Sequence, residues 1–396
     1  PACLVLVDVD SGATVPDGLG WATAFRAVQD GIDAASDRLS TEPEMDDCEV
    51  WVAEGTYTAV MHAREMVTLR PGVILYGGFE GVETCREERD WKLHPTILDG
   101  GRAVHHVVMG SSDAVMDGFI ITHGSALGED ELLDRYGGGM LNHDGASPVI
   151  RNCTFHDNGA TVGGGVANYL HSTPIFENCW FVGNNATMGG AVDNRISVAP
   201  RFVGCTFSEN RANEGGAVSS SHAFPTIENS IFVGNVAEEF GGAILCSQGT
   251  TFLTGVTMFG NESLGLSSHD PSDSISCDGN FDEPENDTLV VANSILWNEG
   301  SVEISLVYGA AASVRYSIVE NGWGGAGNST RDPLFVDPEE LDFHLDLASP
   351  AIDAADGDLA TPTDLEGKGR FDVAGIDDHG IGTPSFVDIG ALEYVP

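Results

Sequence analysis

The sequence is poor in basic residues and has no long apolar run, and each absence excludes a class of function. Its 396 residues include 17 Lys and Arg against 61 Asp and Glu, which gives a formal net charge of −44. Nucleic acids and anionic membrane surfaces repel such a chain, so a function that needs a basic groove is excluded. No run of about 18 apolar residues occurs, so insertion into a membrane is not expected. The excess carboxylates either keep the protein soluble or supply oxygen ligands for calcium.

Cysteine is also sparse for a chain of this length. Its eight cysteines do not form a dense disulfide framework, although their number suits an oxidising compartment. The candidate disulfides are Cys246 with Cys277, and one pair within the set Cys3, Cys48 and Cys85. The sequence begins at Pro1 rather than Met, as expected of a mature secreted chain and equally of a trimmed one.

The middle of the chain repeats with a period of 26 residues, shortened once to 25. The units that start at 148, 174, 200 and 225 begin PVIRNCTFHDN, PIFENCWFVGN, PRFVGCTFSEN and PTIENSIFVGN, and weaker units start near 114, 251, 289 and 312. Short alternating runs between Gly-Gly and Asn turns predict strands, and the fixed period predicts that they stack. We therefore predict an all-β right-handed parallel β-helix of about ten coils, roughly 50 Å long.

Equivalent residues of successive coils should stack directly above one another, because strands lie about 4.8 Å apart. Four columns are predicted: inward phenylalanines, side-chain amides at a turn, buried free thiols, and glycines at a tight corner. Their members are Phe155, Phe181, Phe207 and Phe232; Asn158, Asn184, Asn210 and Asn235; Cys153, Cys179 and Cys205; and Gly164, Gly190, Gly216 and Gly242. A zinc site in the thiol column is disfavoured, because a straight column lacks tetrahedral geometry. We expect the aromatic side chains of the coil that contains Trp180 and Phe181 to point inward.

The two ends of the chain differ from the repeats. An apolar stripe at steps of three and four predicts a helix over about 21–36 that caps the open first coil. The stripe consists of Trp21, Phe25, Val28, Ile32 and Ala35. The acidic insertions at 126–137 and 267–287 are expected to be loops, and DIGALEYV near the C-terminus is expected to add a strand that closes the last coil. We divide the chain into an N-terminal cap with the first coils (1–96), a β-helix core (97–330) and an acidic closing segment (331–396).

These motifs resemble known bacterial surface proteins. The C-T-F…N…G-G-A-V repeats are similar to those of polymorphic outer-membrane proteins and their relatives. GLGWATAFRAVQDGIDAA near the N-terminus, and SPAIDAAD, TDLEGKGR and VDIGALEY near the C-terminus, resemble secreted proteins with a choice-of-anchor Q domain. The resemblance covers nearly the whole chain. It implies a right-handed β-helix at the bacterial surface or secreted, and implies little about activity.

Catalysis by a β-helix has to be argued from a site rather than from the fold. A lyase needs an Asp cluster for calcium beside an Arg or Lys base, but the regular coils from 148 to 250 contain only four arginines and no lysine. An inverting glycosidase needs two carboxyls about 6.5–9.5 Å apart, and Asp377, Asp378 and His379 have suitable groups. We favour a solvated turn or a metal-binding loop for these three residues, because such a cluster arises easily in an acidic chain.

Calcium is the cofactor that the sequence favours, although plain acidic turns remain an alternative. Two segments bring three aspartates close together, but neither provides the late bidentate Glu of a regular calcium loop. The candidate ligands are Asp8, Asp10 and Asp17 near the N-terminus, and Asp332, Asp337 and Asp342 near the C-terminus.

The sequence as a whole favours a secreted, non-enzymatic surface or matrix protein that works by adhesion or self-assembly. Its expected partners are further copies of itself, joined through the ends and acidic loops, or surface glycans, with calcium bridging its acidic faces. The alternatives are a polysaccharide lyase or glycoside hydrolase, and a β-helix that binds glycans without turnover.

Overall fold

The chain winds through three parallel sheets. The computed structural model describes residues 3–42, 44–59, 63–128, 131–265, 274–279, 288–298 and 302–394. Each turn of the chain adds one strand to each sheet, as Val149–Arg151, Thr154–His156 and Val166–Tyr169 do in turn. The predicted right-handed parallel β-helix is thereby confirmed. We name the sheets A, B and C in the order in which a turn visits them.

Within the described ranges, sheet A has eleven strands, sheet B ten and sheet C nine. The strands of sheet A are Leu4–Val7, Cys48–Ala53, Val73–Phe79, Val115–Asp117, Val149–Arg151, Ile175–Glu177, Arg201–Val203, Thr226–Glu228, Thr251–Thr254, Leu289–Ala292 and Ala312–Arg315. Those of sheet B are Gly55–Thr58, Thr96–Asp99, Phe119–Thr122, Thr154–His156, Trp180–Val182, Thr206–Ser208, Ile231–Val233, Thr257–Phe259, Ile295–Trp297 and Ile318–Val319. Those of sheet C are Glu65–Thr68, His106–Met109, Met140–Asn142, Val166–Tyr169, Val192–Arg195, Val218–Ser221, Ile244–Ser247, Ile275–Asp278 and Ile304–Val307.

Shorter elements lie at the corners and ends. Three strands pair beside the B-to-C corner: Arg211–Glu214, Val236–Phe240 and Glu262–Ser263. Ser125–Ala126 pairs with Gly159–Ala160, and Phe335–Asp337 pairs antiparallel with Asp342–Leu345. The single-turn 3-10 helices are Trp21–Thr23, Arg86–Glu88, Leu132–Arg135, Pro338–Glu340 and Gly357–Leu359. None of the helices in the described ranges is long and apolar enough to cross a bilayer.

Stacked side chains fill the interior. The rings of Phe155, Phe181 and Phe207 lie parallel, with centroids 5.1 and 4.8 Å apart. A second column, formed by Phe176 and Phe202 of sheet A, meets the first edge to face. Each such ring is fully buried, and burying it stabilises the fold by about 1.5–3 kcal/mol relative to exposure. Coil register and core packing are therefore set by the same residues.

The N-terminal cap is a helix, but it begins later than the apolar stripe predicts. The helix is Val28–Thr41, and Trp21–Thr23 is a separate single turn. Phe25 lies between them in extended backbone, where its N–H donates to the carbonyl of Leu6 at 3.0 Å. Trp21 packs outside sheet A against Phe79. The predicted start at 21 is wrong because the first strand holds Phe25 by backbone pairing before the helix can begin.

The insertion at 267–287 is not a loop throughout. Ile275–Asp278 is a strand of sheet C, because Ile275 and Cys277 face the core while Cys277 pairs with Cys246 in a disulfide. Residues 266–273 and 280–287 lie outside the described ranges. A second disulfide joins Cys3 to Cys48, which leaves Cys85 as a free thiol.

The C-terminal segment lies along the outside of sheet B instead of closing the last coil. In the described part of DIGALEYV, residues 388–394, no strand is present, so that expectation is wrong. The backbone N–H of Gly390 donates to Asn293 and that of Ala391 to Thr257 Oγ1, both on the flank of the helix. Leu392 packs with Ile231 and Val233 on the outer face of sheet B. Because the outward-facing residues of these late strands are apolar, the segment packs against the side of the β-helix and not on its end.

Candidate functional site

The C-terminal segment covers the outer face of the late sheet B strands but leaves the strand that carries Trp180 uncovered. A groove lies over the uncovered strands. Trp180 is 58% exposed and faces out, whereas its neighbour Phe181 is fully buried. The expectation that both aromatic side chains point inward is therefore wrong for Trp180. Successive strand residues alternate between faces, so a column of buried Phe181 places Trp180 outside. Thr154 and Thr206 flank it on the neighbouring strands and also line the groove.

The corner between sheets A and B supplies the polar side of the groove. One residue per coil turns this corner with positive φ: Asn152 (49°), Asn178 (51°), Gly204 (63°) and Asn229 (43°). Asn tolerates this conformation better than most residues with a side chain. The corner thereby places three amides along the groove, of which Asn178 is exposed, Asn152 half-buried and Asn229 buried. Asn152 Nδ2 donates to Asp117 Oδ1 at 2.9 Å, and Asn229 Nδ2 donates to the carbonyl of Thr363 at 2.7 Å.

Two segments from other parts of the chain form the walls. One wall comprises residues 91–95, where Lys92 Nζ lies 5.2 Å from the ring centroid of Trp91. The other comprises residues 361–367 of the C-terminal segment. The groove encloses about 1130 Å³. The exposed ring of Trp180, the half-buried ring of Trp91 and the exposed amide of Asn178 therefore line a single open channel.

The acidic groups of this channel are all engaged. Glu177 pairs with Arg151 at 2.6 Å, and Glu366 pairs with Lys368 at 2.8 Å. Lys368 is the main cause of the lowered pKa of Glu366. Asp364 Oδ1 accepts backbone N–H bonds from Glu366 and Lys368 at 2.9 and 2.8 Å. Each carboxylate that lines the channel is therefore held by an ion-pair or hydrogen-bond partner.

The residues of the predicted columns stack at the spacing of the repeat. The columns lie inside the coils, behind the strands that form the groove. The Asn column is buried, with Asn184 Nδ2 donating to Asn210 Oδ1 at 3.0 Å. The thiols of Cys153, Cys179 and Cys205 are free and buried. Burial raises the pKa of Cys153 to about 12, so its thiol is protonated and is a poor metal ligand. A Cβ at Gly164 or Gly190 would clash with the backbone oxygen of the next coil's glycine.

Among the described residues, neither set of predicted calcium ligands brings three carboxylates close enough to share one ion. Asp17 Oδ1 accepts from Thr23 Oγ1 at 2.5 Å, and Asp8 Oδ1 accepts from the Asp10 N–H at 2.8 Å. Asp342 pairs with His344 at 2.6 Å. A calcium role for these aspartates, and for Asp332 and Asp337, stays a prediction. Among the described residues, the acidic groups close enough to share one ion are those of Asp353, Asp372 and Asp378.

One family model agrees with the fold. Residues 103–262 match the family model described as a right handed beta helix region. The chain is similar to pectate lyase Pel9A, at 14% identity and a TM-score of 0.49 over 99% of this chain and 96% of that chain. It is also similar to the A-module of Azotobacter vinelandii mannuronan C-5 epimerase AlgE4, at 12% identity and a TM-score of 0.26 over 82% and 100%. No curated protein matches the sequence.

Neither solved structure is close enough to say what this chain binds. The family match lies in the middle of the chain and includes the strands that carry Thr154, Trp180 and Thr206. Together with the three parallel sheets, it makes the protein a right-handed parallel β-helix.

Proposed function

We propose that the protein is a glycan-binding β-helix and that its groove holds an extended neutral oligosaccharide. The observation that carries the proposal is the exposed indole of Trp180 on a floor edged by amides. Sugar rings present apolar C–H faces that stack on indole rings, and hydroxyl groups that exchange hydrogen bonds with amides. Trp91 in the wall offers a second ring.

The length of the floor suits a chain rather than a single sugar. Five strands of sheet B contribute to it, from Thr96–Asp99 to Thr206–Ser208. Four intervals at the inter-strand spacing correspond to about 19 Å. Several sugar units in extended conformation fit this distance, with the groove open along its length.

Charge favours a neutral ligand. The net charge of −44 repels polyanions at long range. Arg201, which lines the groove from sheet A, is already paired with Glu228 at 2.6 Å, and Arg151 of sheet A pairs with the groove residue Glu177 at 2.6 Å. A uronic acid polymer would have to displace these carboxylates, whereas a neutral glycan can hydrogen-bond to the intact pairs.

Adhesion through this groove also suits a place outside the cell, which we propose for the protein. Two disulfides are consistent with an oxidising compartment. Self-assembly through the ends has less support, because the helix Val28–Thr41 covers the first coil and Trp323 packs on the core at the last. The paired carboxylates of the groove support binding without turnover.

The test is affinity electrophoresis of the purified protein in gels that contain soluble neutral polysaccharides or a uronic acid polymer. We expect retardation by at least one neutral glycan, and about tenfold weaker binding or more for Trp180→Ala, since one lost stacking contact is worth on the order of 1 kcal/mol or more. The matched control is Phe224→Ala, which removes an aromatic ring that is 49% exposed outside the groove lining.

Equal retardation of wild type and Trp180→Ala would contradict the groove as the binding site. Failure of every glycan to retard the protein would contradict the proposal as a whole. Release of oligosaccharides from a retarding glycan would identify an enzyme instead of a binding protein.

A further inference from the structure

A second site lies in the C-terminal segment, around a buried aspartate that has no partner. Asp353 is 0% exposed, and neither of its carboxylate oxygens accepts a hydrogen bond of normal geometry, although the backbone N–H of Val373 lies near the carboxylate. Its backbone, in contrast, is fully used. The N–H donates to Asp388 Oδ1 at 2.7 Å, and the carbonyl accepts from His379 and Gly380 at 2.7 and 2.8 Å. The position of Asp353 is therefore fixed while its charge is left without compensation.

Two further carboxylates face the same point. One oxygen each from Asp353, Asp372 and Asp378 lies within 4.8 Å of the other two. Ser385 Oγ donates to Asp378 Oδ2 at 2.6 Å and orients that side chain. Asp372 and Asp378 are exposed, which opens the cluster to solvent on one side. We call these three residues the Asp353 cluster.

No protein cation compensates the cluster. Among the described residues, Lys, Arg and His form no ion pair with any of its three aspartates. Arg370, in the same segment, is held by Glu393 at 2.7 Å. Buried carboxylates in proteins are normally paired or bound to metal. A cluster that brings three together therefore favours the binding of a cation from outside the chain.

We propose that the Asp353 cluster binds one calcium ion. Calcium takes oxygen ligands at about 2.3–2.6 Å, so three oxygens within 4.8 Å of one another can all contact a single ion. The donors are all carboxylates, without sulfur or imidazole, which favours a hard cation over zinc. Calcium accepts irregular sets of six to eight oxygens, whereas magnesium demands near-octahedral geometry at shorter distances.

The ion would join parts of the segment that are distant in sequence. Asp353 precedes the wall residues 361–367, and Asp372 and Asp378 follow them. This site is separate from the two aspartate loops that the sequence favours for calcium. It is also independent of glycan binding, because none of its three residues lines the groove.

Isothermal titration of calcium into the EGTA-treated, dialysed full chain tests the proposal at physiological ionic strength, where weak binding to the acidic surface is screened. We expect one saturable site, and binding weakened about tenfold or more by Asp372→Asn or Asp353→Asn, since each removes a charged ligand. Asp377→Asn is the matched control. It removes the same charge one residue from Asp378. The sequence groups Asp377 with Asp378 in a possible metal-binding loop, but Asp377 is not part of the cluster in the structure, so this variant should leave affinity unchanged.

Melting curves in EGTA separate loss of binding from loss of folding. Asp353→Asn removes an uncompensated buried charge, so without calcium it should melt at or above the wild-type temperature, and only the wild type should gain stability from calcium. Asp372→Asn changes an exposed residue and leaves the fold intact. The proposal is overturned if wild type lacks a saturable site, if Asp372→Asn binds like wild type, or if Asp377→Asn loses the site as well. None of these outcomes tests glycan binding at Trp180.

Discussion

At the scale of single residues, the amide column shows how one side chain can serve three coils. Asn184 Nδ2 donates to the carbonyl of Phe155 and to Asn210 Oδ1, at 2.9 and 3.0 Å. Its Oδ1 accepts from the backbone N–H and from Nδ2 of Asn158, at 3.1 and 3.2 Å. Two donors and two acceptor sites are all that an amide has. The buried corner is therefore satisfied completely, and only by an amide of this length.

Replacing Asn184 by Ala should cost on the order of 3 kcal/mol or more in the free energy of unfolding. The substitution leaves several buried polar partners unsatisfied, each at about 1–3 kcal/mol. Asn185→Ala, at the exposed neighbouring position, should change stability by less than about 0.5 kcal/mol. Denaturant unfolding of both variants measures the difference, and equal stabilities would refute the role of the column.

The columns were predictable from the sequence, whereas the groove was not. A fixed period places Asn184 above Asn158 whatever else the chain does, because coil spacing is set by backbone hydrogen bonds. Trp180 is different. Its apolar ring suggests the core, and only the buried column through Phe181 shows that the adjacent position must face out. The groove walls come from segments distant in sequence, 91–95 and 361–367, which no local pattern brings together.

At the scale of elements, the capping helix is shaped by its contact with the first coils. Gly31 is the fourth residue of Val28–Thr41 and is buried. A Cβ there would clash with Val7 Cγ2 and would lie 3.3 Å from Val50 Cγ1. The helix can pack closely on sheet A only because this position has no side chain. The sequence predicted the stripe of Val28, Ile32 and Ala35 correctly, but not the backbone pairing of Phe25 that delays the helix.

Gly31→Ala should destabilise the protein by about 1–3 kcal/mol, as overpacking of a buried contact does. Helix propensity alone predicts the opposite effect, an increase of about 0.8–1.0 kcal/mol in the free energy of unfolding. Ser36→Ala, on the same helix at a half-buried position, should be neutral or slightly stabilising. Thermal unfolding of the two variants distinguishes packing from propensity, and a higher melting temperature for Gly31→Ala would show that the cap is looser than described.

At the scale of the whole molecule, two buried acids lower the stability of the fold as the pH rises. Burial raises the pKa of Glu303 to about 7. The pKa of Asp388 rises to about 8, first through burial and then through the charge of Glu393. These folded-state values exceed the ordinary values of 4.5 and 3.8 for the two groups. Their contribution to stability is therefore fully present below those ordinary values and is lost as the pH rises through 7 and 8.

The wild type should therefore be less stable near pH 8 than near pH 5, by on the order of 3 kcal/mol from Glu303 alone. The Gln side chain of Glu303→Gln does not titrate. The free energy of unfolding of this variant relative to wild type should therefore rise by that amount between pH 5 and pH 8. Denaturant unfolding in EGTA at the two pH values measures it. Glu209→Gln, at an exposed surface position, is the control. A constant difference between wild type and Glu303→Gln would contradict a raised pKa.

The stacking of coils also means that the groove can change length only in steps. Its floor consists of the sheet B strands left bare between the 91–95 wall and the C-terminal segment, and each 26-residue unit adds one strand to it. Duplication or deletion of one unit in the gene would lengthen or shorten the floor by a single strand spacing of about 4.8 Å. It would leave the corner amides and the inner columns in register. Proteins with this architecture can thus differ in groove length through their number of repeat units, while the contacts within and between units stay the same.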